Sequence, residues 1–211
     1  MSPPVVPVFP PHGAGQRIGL LGGSFNPPHA GHRHVSLIAL DRLRLDAVWW
    51  LVTPGNPLKP MAGLPPLDAR IAAARKIARH PRIAVTGIEA ALGTRYTVDT
   101  LAALRRRAPE ARFVWLMGAD NLAQLDRWRD WPRLARLAPF AVIDRPGATL
   151  RATRGRAATA LAPWRVAESA APILADLDPP AWCFLHAPRS DLSSTLLRTG
   201  NHPTAVPPKG A

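Results

Sequence analysis

The chain has one cysteine and three lysines among its 211 residues. A single thiol, Cys183, cannot close an internal disulfide, so a disulfide-stabilised secreted domain is excluded. No apolar run is long enough to span a bilayer. The first sixteen residues also lack the charged start of a secretory signal. We therefore expect a globular protein of the cytoplasm with no membrane partner.

Lysine is scarce because the basic residues are almost all arginine. Lysine and arginine together number 27, and the formal net charge is +13. A polyanion such as RNA would suit that charge. However, the arginines are scattered along the chain and are not interleaved with the aromatic residues that a nucleic-acid platform requires. Arginine, alanine and proline are all over-used, as a GC-rich genome would produce, and we expect no nucleic-acid partner.

Several motifs of catalytic chemistry are also missing. The chain has neither G-x-x-x-x-G-K-[ST] nor G-x-G-x-x-G, which argues against a P-loop and against a dinucleotide fingerprint. His29 and His32 stand three residues apart, but no third ligand follows at zinc spacing, so we expect no protein-bound metal. No Ser/His/Asp or Cys/His nucleophile is evident, and Cys183 lies in an apolar run typical of a strand.

What the chain does have is six apolar runs of strand length. Each is continuously apolar, which is typical of a strand that is buried on both faces. They cover Arg17–Gly22, Ala47–Thr53, Arg82–Ile88, Ala111–Gly118, Phe140–Asp144 and Ala181–His186. Helical patterns lie between them, at Ala30–Leu45, Leu67–Ala78, Val98–Arg106 and Leu122–Leu137, the last broken at Pro132.

This alternation predicts an α/β fold, a Rossmann-like doubly wound parallel sheet with helices on both faces. We expect a single domain over residues 17–198, a disordered Pro-rich N-terminal tail over 1–16 and a disordered tail over 199–211. The basic segment Gly147–Ala171 has weak periodicity and predicts a surface loop with an ill-defined helix. Ligands in such folds bind at the carboxyl ends of the strands.

The loop after the first strand reads GGSFNPPHAGHRH. Gly22 and Gly23 lack side chains, which predicts a tight turn that comes close to a ligand. The helix that follows should begin near His29 or Ala30, and its first N–H groups and dipole form an anion site. His29 and His32 would face the same way on the first turn. Two imidazoles at such a position suit phosphate groups.

Four further loops, in order, read TPGNPLKP, GTRYTVDTL, MGADNLAQLDRW and DLSSTLLR. With GGSFNPPHAGH, which resembles the signature of the nucleotidyltransferase superfamily, this ordered set resembles the bacterial nicotinate mononucleotide adenylyltransferases over Arg17–Arg198. The resemblance implies transfer of the adenylyl group of ATP to nicotinate mononucleotide, giving nicotinic acid adenine dinucleotide and pyrophosphate in NAD biosynthesis. It also implies Mg²⁺ that is carried by the ATP phosphates.

The same resemblance implies the site residues. Catalysis would fall to His29, His32 and Arg198. The ATP side would comprise Gly22, Gly23, Ser24, Phe25, His29, His32, Gly118, Asp120, Arg145, Ser193, Ser194 and Arg198. The mononucleotide side would comprise Ser24, Phe25, Lys59, Tyr96, Thr97, Asp120 and Trp128.

Other interpretations of these residues stay open at this point. Trp128 and Tyr96 could be core residues, and Asp120 or the pair Ser193–Ser194 could be helix caps. The acceptor could be nicotinamide mononucleotide or phosphopantetheine. The chain could also be a basic RNA-binding protein or an inactive homologue. The sequence leaves the oligomeric state open, a homo-oligomer included.

Overall fold

A sheet of six parallel strands runs through the residues that the computed structural model describes, 9–55, 63–144 and 152–186. The strands are β1 (Arg17–Gly23), β2 (Ala47–Val52), β3 (Ile83–Thr86), β4 (Arg112–Gly118), β5 (Phe140–Ile143) and β6 (Trp182–Leu185). Their order across the sheet is β3-β2-β1-β4-β5-β6, and every pair is parallel. Each predicted strand is present, with ends that differ by one or two residues.

Helices cover both faces of this sheet. They are α1 (Ala30–Arg42), α2 (Leu67–Ala78), α3 (Ile88–Leu92), α4 (Thr97–Arg107), α5 (Ala119–Leu122), α6 (Trp131–Leu137) and α7 (Arg156–Ala160), with 3₁₀ turns at Leu125–Arg127, Ala162–Trp164 and Glu168–Asp176. Apolar side chains of α1, α2 and the last 3₁₀ turn fill one face, and those of α4, α6 and α7 fill the other. The predicted fold class is confirmed. No helix in the three described ranges has the length and apolar character to cross a membrane.

The strand order places a crevice beside β1. From β1 the chain goes to β2 and β3 on one side, and it returns through β4 to build the other side. Loops that leave β1 and β4 therefore diverge to opposite faces, and in open parallel sheets ligands bind outside the carboxyl ends at such a point. The loop after β1 is the one that the sequence singles out.

Two predicted helices end or divide differently in the structure. Helix α1 stops at Arg42 because Arg44 adopts a left-handed backbone with φ of 49°, which lets the buried Leu45 turn into the core. The predicted helix over Leu122–Leu137 is wrong: α5, a 3₁₀ turn and α6 replace it. Pro132 lies in the first turn of α6, where its missing N–H costs nothing, so it begins a helix instead of interrupting one.

The helix predicted within the basic segment is present as α7, but the prediction that this segment lies at the surface is wrong for several of its described residues. Ala152, Ala157, Ala158 and Leu161 are buried in the core. The small side chains of the three alanines allow α7 to lie close to the sheet, and the Leu161 carbonyl accepts a hydrogen bond from Trp182 Nε1 at 2.8 Å. Weak periodicity hid this packing because α7 has only five residues.

Residues 9–16 precede the predicted start of the domain and nevertheless contact it. The ring of His12 lies 5.5 Å from that of Trp49, and its Nε2 lies 3.5 Å from Glu110 Oε1. The Gly15 amide donates to the Glu110 carbonyl at 2.9 Å. The boundaries 17–198 stay a prediction, since residues 1–8 and 187–211 lie outside the described part of the chain.

Ser36 ties α1 to β2 and offers a test of this packing. Its buried hydroxyl donates to the His32 carbonyl and accepts from Trp50 Nε1, both at 2.8 Å. Because Ser36→Ala leaves a buried indole N–H without an acceptor, we expect a loss of about 1–3 kcal/mol in unfolding free energy. Urea unfolding would measure it. Replacement of the exposed Ser169 by alanine is the control and should lower the unfolding free energy by less than about 0.5 kcal/mol. Equal losses in the two variants would contradict a stabilising role for the Ser36 hydrogen bonds.

Candidate active site

Neither glycine of the loop after β1 makes the predicted turn. Gly22 and Gly23 extend β1, opposite Leu51 and Val52 of β2. Gly22 is required for packing, because a Cβ there would lie 2.6 Å from Cη2 of Trp115. The left-handed residue is Phe25, with φ of 47°. The sequence missed this because a phenylalanine rarely adopts such a backbone.

Packing explains why Phe25 accepts that conformation. Its side chain is buried, with its ring stacked on Trp50 at 5.0 Å between centroids and tilted against His32 at 4.7 Å. The aromatic contacts hold the Phe25 side chain in the core, so Phe25 can offer a ligand only its backbone. This agrees with the backbone role that the resemblance implies for the loop.

The two histidines form the start of α1. His29 is the N-cap and is buried, and its Nδ1 accepts a hydrogen bond from the Gly31 amide at 3.1 Å. Nδ1 of His32 accepts from the His29 amide at 3.2 Å. The two contacts make a capping box in which imidazoles replace the usual hydroxyl and carboxylate. The ring centroids are 3.9 Å apart, so the predicted common orientation is confirmed.

These hydrogen bonds also select the tautomer of both rings. Because each Nδ1 accepts a backbone N–H, a neutral ring carries its proton on Nε2. The arrangement gives two N–H donors side by side at the positive end of α1, next to the switch point of the sheet. Such a pair can bind phosphate oxygens and can stabilise negative charge that develops on them.

The start of α4 lies at the carboxyl edge of the sheet as well. Tyr96 is its N-cap, and the first intrahelical hydrogen bonds, from Asp99 and Thr100, go to the Tyr96 carbonyl at 3.0 Å. The N–H groups of Thr97 and Val98 precede those bonds and are therefore directed away from the helix interior. This supports a main-chain role for the Tyr96–Thr97 pair.

After β4 the chain enters α5 at once. Gly118 is the N-cap and uses no side-chain cap, so the alternative that Asp120 caps this helix is wrong. Asp120 is exposed. Its backbone carbonyl accepts a hydrogen bond from the side-chain Nε2 of Gln124 at 3.3 Å.

Trp128 follows the 3₁₀ turn over Leu125–Arg127. Its ring is half-buried and meets Trp115 edge-on, with centroids 6.3 Å apart and planes at 84°. One side of the ring is therefore committed to the core, and a half-buried indole retains surface for a ligand. The core interpretation therefore holds for one side of the ring, and stacking on a ligand stays a prediction for the rest of it.

Arg129 joins this segment to the start of α4, and sequence reasoning missed it. Its guanidinium lies 4.5 Å above the Tyr96 ring and 3.9 Å from the Asp99 carboxylate. The contacts tie the residue that follows Trp128 to the start of α4, some thirty positions earlier in the chain. A basic residue directly after a candidate stacking tryptophan is the signal that could have identified it.

Two buried charged residues under the loops were also missed. Arg70 of α2 donates to four backbone carbonyls around the ends of β1 and β2. Glu89 of α3 accepts from Thr100 Oγ1 at 3.1 Å, and burial raises the pKa of its carboxyl, while hydrogen bonds with Thr53 and Thr100 act against that rise.

Some expected site residues lie outside the described part of the chain. These are Lys59, Arg145, Ser193, Ser194 and Arg198. Within the described ranges no group of three His, Cys, Asp or Glu side chains could hold a metal ion. A hard divalent cation that enters a site with a triphosphate takes most of its ligands from phosphate and water, so it does not require such a group.

Comparison with known proteins decides the family. The family model described as Cytidylyltransferase-like matches residues 20–200. A protein of Methylorubrum extorquens, named "Probable nicotinate-nucleotide adenylyltransferase", is 62% identical over 183 residues, which are 87% of this chain and 99% of that protein. The chain belongs to the nicotinate-nucleotide adenylyltransferase family.

Other members extend the comparison. A Cereibacter sphaeroides protein of the same name is 61% identical over 181 residues, 86% of this chain and 96% of that protein. Among solved structures, "Plasmodium falciparum nicotinic acid mononucleotide adenylyltransferase complexed with NaAD" aligns with a TM-score of 0.63 and 17% identity, over 87% of this chain and 83% of that one. At that identity the structure supports the nicotinate-nucleotide adenylyltransferase fold only.

The raised pKa of Glu89 predicts how stability depends on pH in this adenylyltransferase. From about pH 4.5 up to the raised pKa, the folded chain keeps a proton that the unfolded chain loses, so unfolding free energy falls as pH rises. Because Glu89→Gln keeps an acceptor and cannot ionise, we expect it to gain stability over the native protein through that window. Urea unfolding from about pH 4.5 to about pH 8 tests this.

A second substitution tests whether removal of any carboxylate, and not of Glu89 in particular, changes the pH dependence of stability. Asp178 is exposed, and Asp178→Asn should follow the native pH dependence. Parallel curves for Glu89→Gln and the native protein would mean that Glu89 is ionised in the fold.

Proposed function

We propose that this protein is an enzyme that transfers the adenylyl group of ATP to nicotinate mononucleotide, the step that gives nicotinic acid adenine dinucleotide in NAD biosynthesis. The observation that carries the assignment is the pair of imidazoles at the start of α1, 3.9 Å apart at the switch point of the sheet. The relatives at about 60% identity bear the name of this activity. Small molecules are thus the partners.

The reaction is an in-line displacement at the α-phosphorus. A 5′-phosphate oxygen of the mononucleotide forms a bond to that phosphorus, and the bond to the bridging oxygen of the β-phosphate breaks. Pyrophosphate leaves with the electron pair. The attacking phosphate is already ionised near neutral pH, so no general base is needed. Positioning and charge stabilisation supply the catalysis.

On the ATP side, the Nε2–H groups of His29 and His32 donate to phosphate oxygens as negative charge shifts toward the leaving group. The backbone of Gly22–Phe25 lines the phosphates, and Gly118 and Asp120 lie toward the adenosine. Arg145, Ser193, Ser194 and Arg198, outside the described ranges, complete this side. The substrate is the magnesium complex of ATP, with Mg²⁺ on its phosphates.

On the mononucleotide side, the α4 start binds the nicotinate carboxylate through the N–H groups of Thr97 and Val98, with Tyr96 beside the ring. Trp128 stacks on the pyridine, and Ser24, Phe25 and Asp120 lie toward the ribose phosphate. Lys59, outside the described ranges, is assigned to this side by the resemblance alone. Support comes from the contact of Arg129 with both Tyr96 and Asp99, which ties the segment after Trp128 to the start of α4.

The function is tested by pyrophosphate release. The assay contains ATP, Mg²⁺ and either nicotinate or nicotinamide mononucleotide, with phosphopantetheine as a third acceptor. We expect the fastest release with nicotinate mononucleotide. No release with any acceptor, from a folded sample, would contradict the assignment.

His32 has two roles, as a cap for the His29 amide and as a proposed donor to phosphate, and substitutions can separate them. His32→Ala removes the donor to phosphate and also the cap on the His29 amide, so we expect turnover to fall about a hundredfold and stability to fall by about 1 kcal/mol. Glutamine is a favoured N3 residue in capping boxes. His32→Gln should therefore keep native stability and lose most of the turnover.

The control for both is His80→Ala. Its Nδ1 also accepts a backbone N–H, from Arg82 at 3.2 Å, but at the opposite edge of the sheet. It should leave turnover unchanged. If His32→Gln turns over within a few-fold of the native rate, the proposed role of the His32 imidazole as a donor to phosphate is contradicted.

Arg129 is expected to favour the acidic acceptor. Its positive charge lies beside Tyr96, where the nicotinate carboxylate would bind. Because a charge-assisted contact is lost, Arg129→Gln should lower the ratio of kcat/KM for nicotinate over nicotinamide mononucleotide by about tenfold, or about 1.4 kcal/mol. Arg133→Gln, whose ion pair with Asp130 has the same 3.9 Å length, is the control. An unchanged ratio would show that main-chain amides alone select the carboxylate.

A further inference from the structure

Arg70 stands out among the charged residues because its side chain is almost wholly inside the protein. Only 3% of the residue is exposed. Its Nε donates to the Pro65 carbonyl at 2.9 Å, and Nη1 donates to the carbonyls of Ser24 and Thr53 at 2.9 and 2.7 Å. Nη2 donates to the Pro54 carbonyl at 3.2 Å. All three guanidinium nitrogens are therefore used in holding backbone.

The acceptors belong to different segments at the carboxyl edge of the sheet. Ser24 lies in the loop after β1, Thr53 and Pro54 lie in the loop after β2, and Pro65 leads into α2. The Thr53 amide also donates to the Gly23 carbonyl at 3.0 Å, one residue beyond the strand ladder. The two loops are thus joined by one backbone hydrogen bond and by one guanidinium.

The charge of Arg70 argues for more than a structural tie. In the described part of the chain no carboxylate pairs with it, and burial lowers its pKa from the usual value, although a guanidinium remains charged in proteins. Burial of an unpaired charge is costly, and a neutral donor could tie loops at lower cost. Anionic groups bound next to the loop after β1 would offset the cost of burying this charge.

We propose that Arg70 is a positioning residue that holds the loops after β1 and β2 at the separation needed to bind the substrate phosphates, acting through the Ser24 and Thr53 backbones. The inference rests on the proposed function for the identity of those phosphates. The fixed fork of the guanidinium is what allows one side chain to reach carbonyls of both loops. Lysine has one nitrogen and cannot reproduce the geometry.

The test compares Arg70→Ala and Arg70→Lys with the native enzyme at a temperature where all are folded. We expect kcat/KM for nicotinate mononucleotide to fall tenfold or more in both, mainly through KM. Amide hydrogen exchange of residues 22–28 and 51–55 should become at least tenfold faster, while exchange in β4 and β5 stays native. Millimolar guanidinium should restore part of the activity of Arg70→Ala, since the ion can refill the vacated site.

Arg82→Ala is the matched control. Its Nη1 also donates to a backbone carbonyl, that of Leu45 at 3.2 Å, but at the opposite edge of the sheet and from an exposed residue. It should show native kinetics, native loop exchange and no response to guanidinium.

The outcomes separate this inference from the proposed function. A native enzyme that releases no pyrophosphate would overturn the function, while loop exchange in Arg70→Ala would still test the tie between the loops. If Arg70→Ala has native kcat/KM and only its melting temperature is lowered, Arg70 contributes to stability alone and the positioning role is wrong. A loss of activity that guanidinium cannot restore in Arg70→Ala would overturn positioning by the side chain itself.

Discussion

The divergence of the chain on either side of β1 governs where chemistry can occur in this protein. Parallel strands send every crossover back to the same edge, and the order β3-β2-β1-β4-β5-β6 leaves one gap there, between the loops of β1 and β4. Helix α1 begins at that gap, so its positive end and its two histidines point to the place where an anion can enter. The other elements support or line this position.

The sequence was sufficient to predict the parts of the structure that depend on local pattern. Buried strands of a parallel sheet are continuously apolar, and all six were found. His29 and His32 were identified because a helix start fixes their relative orientation within one turn. Leu67–Ala78 was predicted with its observed ends, since its apolar residues repeat at helical spacing. In each case neighbours in the chain determine the outcome.

Features that depend on distant contacts could not be predicted. Arg70 looks like an ordinary surface residue of α2, because its carbonyl partner at Ser24 is 46 positions away. Phe25 takes a left-handed backbone because Trp50 and His32 enclose its ring, which no local rule anticipates. The segment around Pro132 was predicted as one helix broken by proline. The sequence alone does not distinguish a proline in the first turn of a helix from a proline in the interior of a helix.

One contact connects the two halves of the crevice. Trp115 closes on Gly22 so tightly that a methyl group would not fit between them, and the same indole meets the ring of Trp128 at nearly a right angle. A single rigid side chain therefore restrains both the last residues of β1 and the segment that carries Trp128. A smaller residue at position 115 would loosen the two segments together, so their positions are not independent of each other.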